Sequence, residues 1–374
     1  MGVSYGHLEG DKRVMHLGKL KASLQPVIRG ISPDYFTLVM ATGIVSIAAY
    51  LLGMSLLAWI LLYINVSAFI VLWLLTLIRI FNYPRFLFDD FVNHARGPGF
   101  FSMIAGTCVL GSQLDLVAKE STGAVYLLYA GIVLWAIIIY AFFTIVTVNN
   151  PKPSLKQGLN GTWLVVTVAT QSISILGALV SPRYGAWQRE VLFFSLIMYL
   201  IGLMLYLLII GMIFYRWIFV DMSPEDLTPP YWINMGAVAI TTLAGDTLIL
   251  GASHWDYLKE IIPFLRGMTL FSWASGTWWI PLLFILGAWR HMYKKYPLKY
   301  NPHYWGMVFP LGMYTTCTFD LAKSMRLEFL FVIPEYFIYI ALIAWSASFA
   351  GLIYSLIKGF YTNAIKPSES TSAP

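Results

Sequence analysis

Residues Asn301–Gly312, NPHYWGMVFPLG, read as the start of a membrane helix, and four other stretches align beneath them. These are Ser32–Gly43 (SPDYFTLVMATG), Gly97–Cys108 (GPGFFSMIAGTC), Leu159–Thr170 (LNGTWLVVTVAT) and Thr228–Ala239 (TPPYWINMGAVA). Each places an aromatic at the fifth position: Phe36, Phe101, Trp163, Trp232 and Trp305, separated by steps of 65, 62, 69 and 73 residues. A near-constant step is the signature of repeated structural units. Pro33, Pro98, Pro229 and Pro302 occupy the second position, where a missing N–H costs nothing in the first turn of a helix. The third copy has Asn160 there instead.

The ninth position holds Met40, Ala105, Thr167, Gly236 and Phe309, and the twelfth holds Gly43, Cys108, Thr170, Ala239 and Gly312. If the copies surround a common axis, the twelfth positions form a ring of small residues. The ninth ring is then plugged by one phenyl group, Phe309, with Pro310 directly after it.

With 59% hydrophobic and only 11% charged residues over 374 positions, the chain has too few charges for an ordinary soluble domain, which carries roughly a quarter. It is a polytopic membrane protein. Ten apolar runs are long enough to span a bilayer: 34–54, 56–80, 98–114, 123–148, 159–181, 189–217, 229–250, 259–289, 302–322 and 333–357. The N-terminal segment, the loops after even-numbered runs and the C-terminal tail hold 17 Lys and Arg against 7 on the other side. Both termini are therefore expected in the cytosol, and the formal charge of +6 reflects this bias rather than a nucleic-acid partner.

Odd and even runs differ in character. Odd runs collect small and hydroxyl residues, such as Gly106, Thr107, Gly111 and Ser112 in the third or Thr315, Thr316 and Thr318 in the ninth. Even runs are dominated by Leu, Ile, Phe, Tyr and Trp. Small residues let helices approach closely, whereas bulky apolar ones suit lipid. The expected fold is all-α: ten transmembrane helices as five hairpins in pseudo-five-fold arrangement, with odd helices around a pore and even helices in an outer ring. The domain plan is a cytosolic segment 1–30, a membrane domain 31–358 and a disordered tail 359–374. Val14, Leu17, Leu20, Leu24 and Val27 recur at helical spacing opposite Lys12, Lys19 and Lys21, which suggests a helix lying on the inner leaflet.

Every copy begins on the cytosolic side, so five helix N-termini gather at one mouth and favour an anion there. Deeper in, the assigned rings carry no Lys or Arg, so an anion would bind weakly enough to leave quickly. Phe309, opposite Gly236, Ala105 and Thr167, has room to lie across the axis. Holding its ring off a preferred rotamer costs about 0.5–1.5 kcal/mol, which suits a gate; packing between helices is the other reading of the same spacing. Asp246, well inside the seventh run, and Asp115, near the end of the third, are candidates for proton coupling, or else they cap helices. Asp320 and Lys323, one turn apart, suggest a local ion pair. The two cysteines, Cys108 and Cys317, lie inside runs and give neither a disulfide framework nor a metal spacing, and no cofactor motif is present. No His, Cys, Ser and carboxylate groups gather as an enzyme would need.

SPDYFTLVMATGI opening the first run, GPGFFSMIAGT the third and YWGMVFPLGMY the ninth resemble the tellurite-resistance and dicarboxylate transporter family over roughly residues 30–360. That family includes the bacterial tellurite-resistance protein, the yeast malate permease, the fungal sulfite exporter and the slow anion channel of plant guard cells. The resemblance implies a cell-membrane homotrimer in which each protomer has its own anion pore. It also implies a phenylalanine on the ninth helix closing that pore, matched here by Phe309 before Pro310. PPYWINMGAVAITTLAGD in the seventh run is richer in polar groups and resembles the fungal and permease-like branches more than the plant channels. Two functions follow: an anion channel or transporter for small inorganic or organic anions, or a proton-coupled carrier of malate-like acids, sulfite or tellurite-related oxyanions.

Overall fold

The five aligned stretches each begin with a tight 3₁₀ turn, at Pro33–Phe36, Gly97–Phe100, Gly161–Leu164, Pro229–Trp232 and Pro302–Tyr304. Proline opens three of them and stands second in another, Pro98, because its fixed φ and absent N–H suit a first turn. In the third, the Asn160 side chain accepts a hydrogen bond from the Thr162 N–H and caps the turn instead. The computed structural model describes Gln25 and residues 28–365. Among these residues there are thirteen α-helices and no strand.

Ten helices are long. They are α1 (Thr37–Leu51), α2 (Ser55–Asn82), α3 (Phe101–Gln113), α4 (Ser121–Val148) and α5 (Val165–Val180), then α6 (Gln188–Phe219), α7 (Ile233–Gly251), α8 (Ile262–Ala288), α9 (Trp305–Met325) and α10 (Val332–Ile365). Eight stretches are long and apolar enough to cross a membrane; one of them, Gly161–Phe219, contains both α5 and α6, and α9 is not among the eight. The protein is a multi-pass, all-helical membrane protein. The expected amphipathic segment before residue 28 lies outside the described residues. At the other end, α10 continues to Ile365, through positions assigned from the sequence to the tail, and the remaining nine residues also lie outside.

Burial separates the helices into two sets. In the apolar core of Gly97–Ala118, 83% of residues are buried, against 11% in Glu328–Lys358 and 17% in Ser55–Asn82. Helices α1, α3, α5, α7 and α9 pack each against the next, and α9 packs back on α1, closing a ring. Each even helix packs against the odd helix before it, and also against the odd helix that follows. Exposed side chains such as Leu56, Phe81 and Ile343 lie on the even helices, where lipid would meet them.

Polar contacts tie the two sets together. Ser46 Oγ donates to the Ala58 carbonyl at 2.7 Å, joining α1 to α2, and Ser174 Oγ donates to the Ser195 carbonyl at 2.7 Å, joining α5 to α6. Indole N–H groups then reach from even helices to the following odd one: Trp135 to Thr170 at 2.9 Å, Trp273 to Thr318 at 3.0 Å and Trp345 to Thr42 at 3.0 Å. Asn65 donates to Gln113 in the same sense, from α2 to α3. The Trp345 bond links the last helix to the first, so the connection between successive hairpins continues around the ring. Such bonds in membranes contribute on the order of 0.6 kcal/mol each.

Candidate functional site

Two funnels enter the ring of odd helices from opposite ends. The first, about 490 Å³, lies where the odd helices begin; all five opening turns or their approaches line it, including Asp34, Arg96, Asn160, Thr228 and His303. The second, about 320 Å³, lies at the far end and is also lined by all five odd helices, with Ile44, Val109, Ser172, Ile240 and Met313 among its walls. Between them the ninth-position residues Met40, Ala105, Thr167 and Phe309 are each fully buried, and none lines either funnel.

Phe309 sits in this buried layer one residue before Pro310, which lies inside α9 and leaves the Gly306 carbonyl without its usual intrahelical partner. Gly236 faces the proline: a Cβ there would lie 2.7 Å from Pro310 Cγ and 3.1 Å from its Cβ. The ninth position of the fourth copy is therefore glycine because the proline ring of the fifth occupies the space. Local sequence alone carries no signal for that pairing.

The twelfth-position residues fall elsewhere. Gly43, Cys108, Thr170, Ala239 and Gly312 line neither funnel. Cys108 Sγ packs against Gly131 of α4, and Thr170 accepts the Trp135 indole of the same helix. A Cβ on Gly43 would meet Val109 Cγ1 at 2.8 Å and Asn65 Nδ2 at 2.9 Å, and one on Gly312 would meet Val45 Cγ2 at 2.8 Å. The second funnel is lined one residue further along, by Ile44, Val109, Ile240 and Met313. One residue turns an α-helix by about 100°, enough to move a side chain from the axis to a helix contact. The lining is accordingly more aliphatic than the twelfth-position ring suggested.

A profile described as voltage-dependent anion channel (SLAC1) matches residues 30–353, which contain both funnels and the layer between them. The chain belongs to that family. Its members are channels and transporters, not enzymes, and the malic acid transport protein relatives place it with the tellurite-resistance and dicarboxylate transporters. The chain is 26% identical over 317 residues to an uncharacterized transporter of Methanocaldococcus jannaschii, covering 82% of this chain and 89% of that one. To an uncharacterized membrane protein of Mycobacterium tuberculosis it is 33% identical over 176 residues, 45% of this chain and 88% of that one. The malic acid transport protein of Schizosaccharomyces pombe is 21% identical over 315 residues, 77% of this chain and 67% of the yeast protein.

In this anion channel family member the two candidate carboxylates are not brought together. Asp246 is fully buried in α7, where its Oδ1 accepts from Ser324 Oγ at 2.5 Å and its Oδ2 has no partner among the described residues. Asp115 lies beyond α3 and accepts from Ser121 Oγ at 2.6 Å, and Arg183 donates to the same hydroxyl at 3.0 Å. Helices α3 and α7 are not neighbours in the ring, which explains the separation. Asp320 and Lys323 make no ion pair within 4 Å among the described residues; both line the second funnel.

Sequence reading passed over Asp34. Its Oδ2 lies 2.6 Å from His303 Nδ1, so the first and fifth copies meet across the mouth of the first funnel through a carboxylate and an imidazole. An acidic residue in the first turn of a helix has a local rationale in the peptide dipole; its contact with a residue 269 positions away does not.

Proposed function

We propose that this protein conducts or carries small anions along an axis enclosed by α1, α3, α5, α7 and α9, and that Phe309 closes that path. The observation that carries the reading is the pair of funnels, each lined by all five odd helices and separated by a fully buried layer containing Phe309. The chain crosses the membrane ten times as five hairpins, with both termini cytosolic, and assembles in the cell membrane as a homotrimer with one path per protomer. Five helix N-termini and Arg96 border the cytosolic funnel and attract anions. Pro310 weakens the α9 backbone beside Phe309, so the ring swings aside at the cost of a rotamer change, about 0.5–1.5 kcal/mol. The layer holds Met40, Ala105 and Thr167 beside it, with Gly236 against the proline.

Reconstituted protein recorded in planar bilayers is the test. Phe309→Ala is expected to raise anion conductance at least about tenfold, equivalent to removing roughly 1.4 kcal/mol of barrier; a conductance equal to wild type, or one carried by cations, overturns the reading.

A proton-coupled carrier of malate-like acids, sulfite or tellurite-related oxyanions is the second reading, favoured by the unpartnered Oδ2 of fully buried Asp246. It requires that uptake into liposomes follow an imposed pH gradient in wild type and lose that dependence in Asp246→Asn. Uptake indifferent to the gradient in both proteins removes coupling and leaves the passive path.

A further inference from the structure

Three even helices end near a buried arginine, and the three are provided for differently. Arg79 of α2 is 2.5 Å from Asp90, which also takes Arg96 at 2.8 Å. Arg216 of α6 donates to the Leu159 carbonyl and to the Tyr231 hydroxyl, and Asp226 lies 3.4 Å away. Arg290, just past α8, is 9% exposed and has no carboxylate within ion-pair distance among the described residues; its Nε, like those of Arg79 and Arg216, has no acceptor among them. Its guanidinium stacks over Tyr296 at 4.4 Å. A largely buried guanidinium with no carboxylate beside it favours an anion at its open edge.

The same arginine borders a groove of about 170 Å³ between the ends of α6 and α8 and the start of α9, whose walls include Trp217, Trp232, Leu283, Leu286 and Tyr304. The Trp217 indole N–H is a second buried donor in that wall, and the Tyr231 hydroxyl beside it is already engaged by Arg216. The α8 helix widens here into a π-helical turn, Trp289–Tyr293, which carries Arg290. The following segment supplies exposed Lys294, Lys295 and Lys299 beside exposed Tyr293 and Leu298. From Ile261 to Phe319 the sequence contains no Asp or Glu.

We infer that this groove binds one anionic phospholipid, with its phosphate on Arg290 and the Trp217 N–H and its acyl chain along the Trp232 and Leu283 wall. The charge has one sign, the wall is apolar and aromatic, and the place is the end of the molecule that carries both termini. A soluble anion would use the guanidinium but not the wall. Basic pockets between membrane helices, followed by exposed lysines, are the chemistry that retains such headgroups.

The test uses full-length protein, delipidated in detergent and titrated with phosphatidylglycerol, phosphatidylcholine or inorganic phosphate, with bound species read by native mass spectrometry. Quenching of tryptophan fluorescence by brominated phosphatidylglycerol in vesicles is the second readout. One phosphatidylglycerol per chain is expected, held about tenfold more weakly by Arg290→Gln and to an intermediate degree by Arg290→Lys, with Lys294→Gln costing less than either; quenching falls in the same order. Equal retention of phosphatidylglycerol and phosphatidylcholine by wild type overturns the inference whether or not the variants fold. So does displacement of the lipid by millimolar phosphate. Cross-linking of Leu298→Cys chains to each other in lipid-free detergent, with quenching absent in vesicles, assigns the groove to a second copy and overturns it as well.

Discussion

The two funnels are made from the same five helices and differ in chemistry at every level. The one at the start of the odd helices is walled by turns, helix N-termini and polar side chains, with Asp34, Arg96 and His303 at its rim. Its counterpart is walled mainly by aliphatic groups such as Ile44, Ile47, Val109, Ile240 and Leu243, with Asp320, Lys323 and His254 towards its opening. The reason is positional. One end of the ring is where five chains enter and leave N–H groups unpaired; the other is where regular helices continue and present the aliphatic side of each. On the proposed path an anion would meet backbone dipoles on one side and a nearly apolar throat with a lysine on the other.

Removing the layer between the funnels is the strongest expected perturbation of this contrast, because on the proposed reading Phe309→Ala would join two unlike vestibules into one path. A methyl group at Gly236 acts next. With its Cβ 2.7 Å from Pro310 Cγ, a ring with no rotamer to escape into, Gly236→Ala is expected to destabilise the protein by about 1–3 kcal/mol. Thermal unfolding in detergent measures it, and an unchanged midpoint would mean α7 and α9 can separate freely at the layer. Smaller, and opposite in sign at the two ends, are the effects of rim charges. Asp34→Asn is expected to raise anion flux from the first funnel two- to fivefold, and Lys323→Gln to lower flux from the second by a similar factor, both fading above roughly 0.5 M salt. Equal responses from both sides in sided flux assays would erase the distinction between the mouths.

The smallest effect belongs to the loop before α7. Burial pulls the Asp226 carboxyl upward, but the Ser223 N–H and hydroxyl and the charges of Lys156 and Arg216 outweigh it and hold the group below its usual range. A carboxylate with a depressed folded-state value stabilises the fold fully above its unfolded value, near 3.9, and that contribution is lost as pH falls through the folded value. Asp226→Asn is thus expected to lower the unfolding midpoint by about 2 °C at pH 7, the difference shrinking as pH falls below about 4. A difference that persists in acid would assign the effect to the Ser223 hydrogen bonds and not to charge. The substitution also leaves Arg216 without a carboxylate, as Arg290 is.

Much of this was legible before any coordinates. The recurring aromatic, the leading proline and the contrast between small-residue and bulky runs are local or periodic signals. They mark helix starts and membrane helices because the bilayer forces each backbone group to be paired within its own helix. The same signals singled out Phe309 and Pro310, which lie in the buried layer of α9. They did not place Cys108 or Thr170, since which face of an odd helix meets the axis depends on its rotation, and a one-residue error turns the face by about 100°. Nor could they anticipate Asp34 beside His303, Gly236 beneath Pro310 or Trp345 on Thr42. The linear order thus determined which segments are helices and how many copies there are. Only the closed ring decided which side chains meet, because its contacts join residues up to 303 positions apart whose pairing depends on packing and not on any nearby pattern.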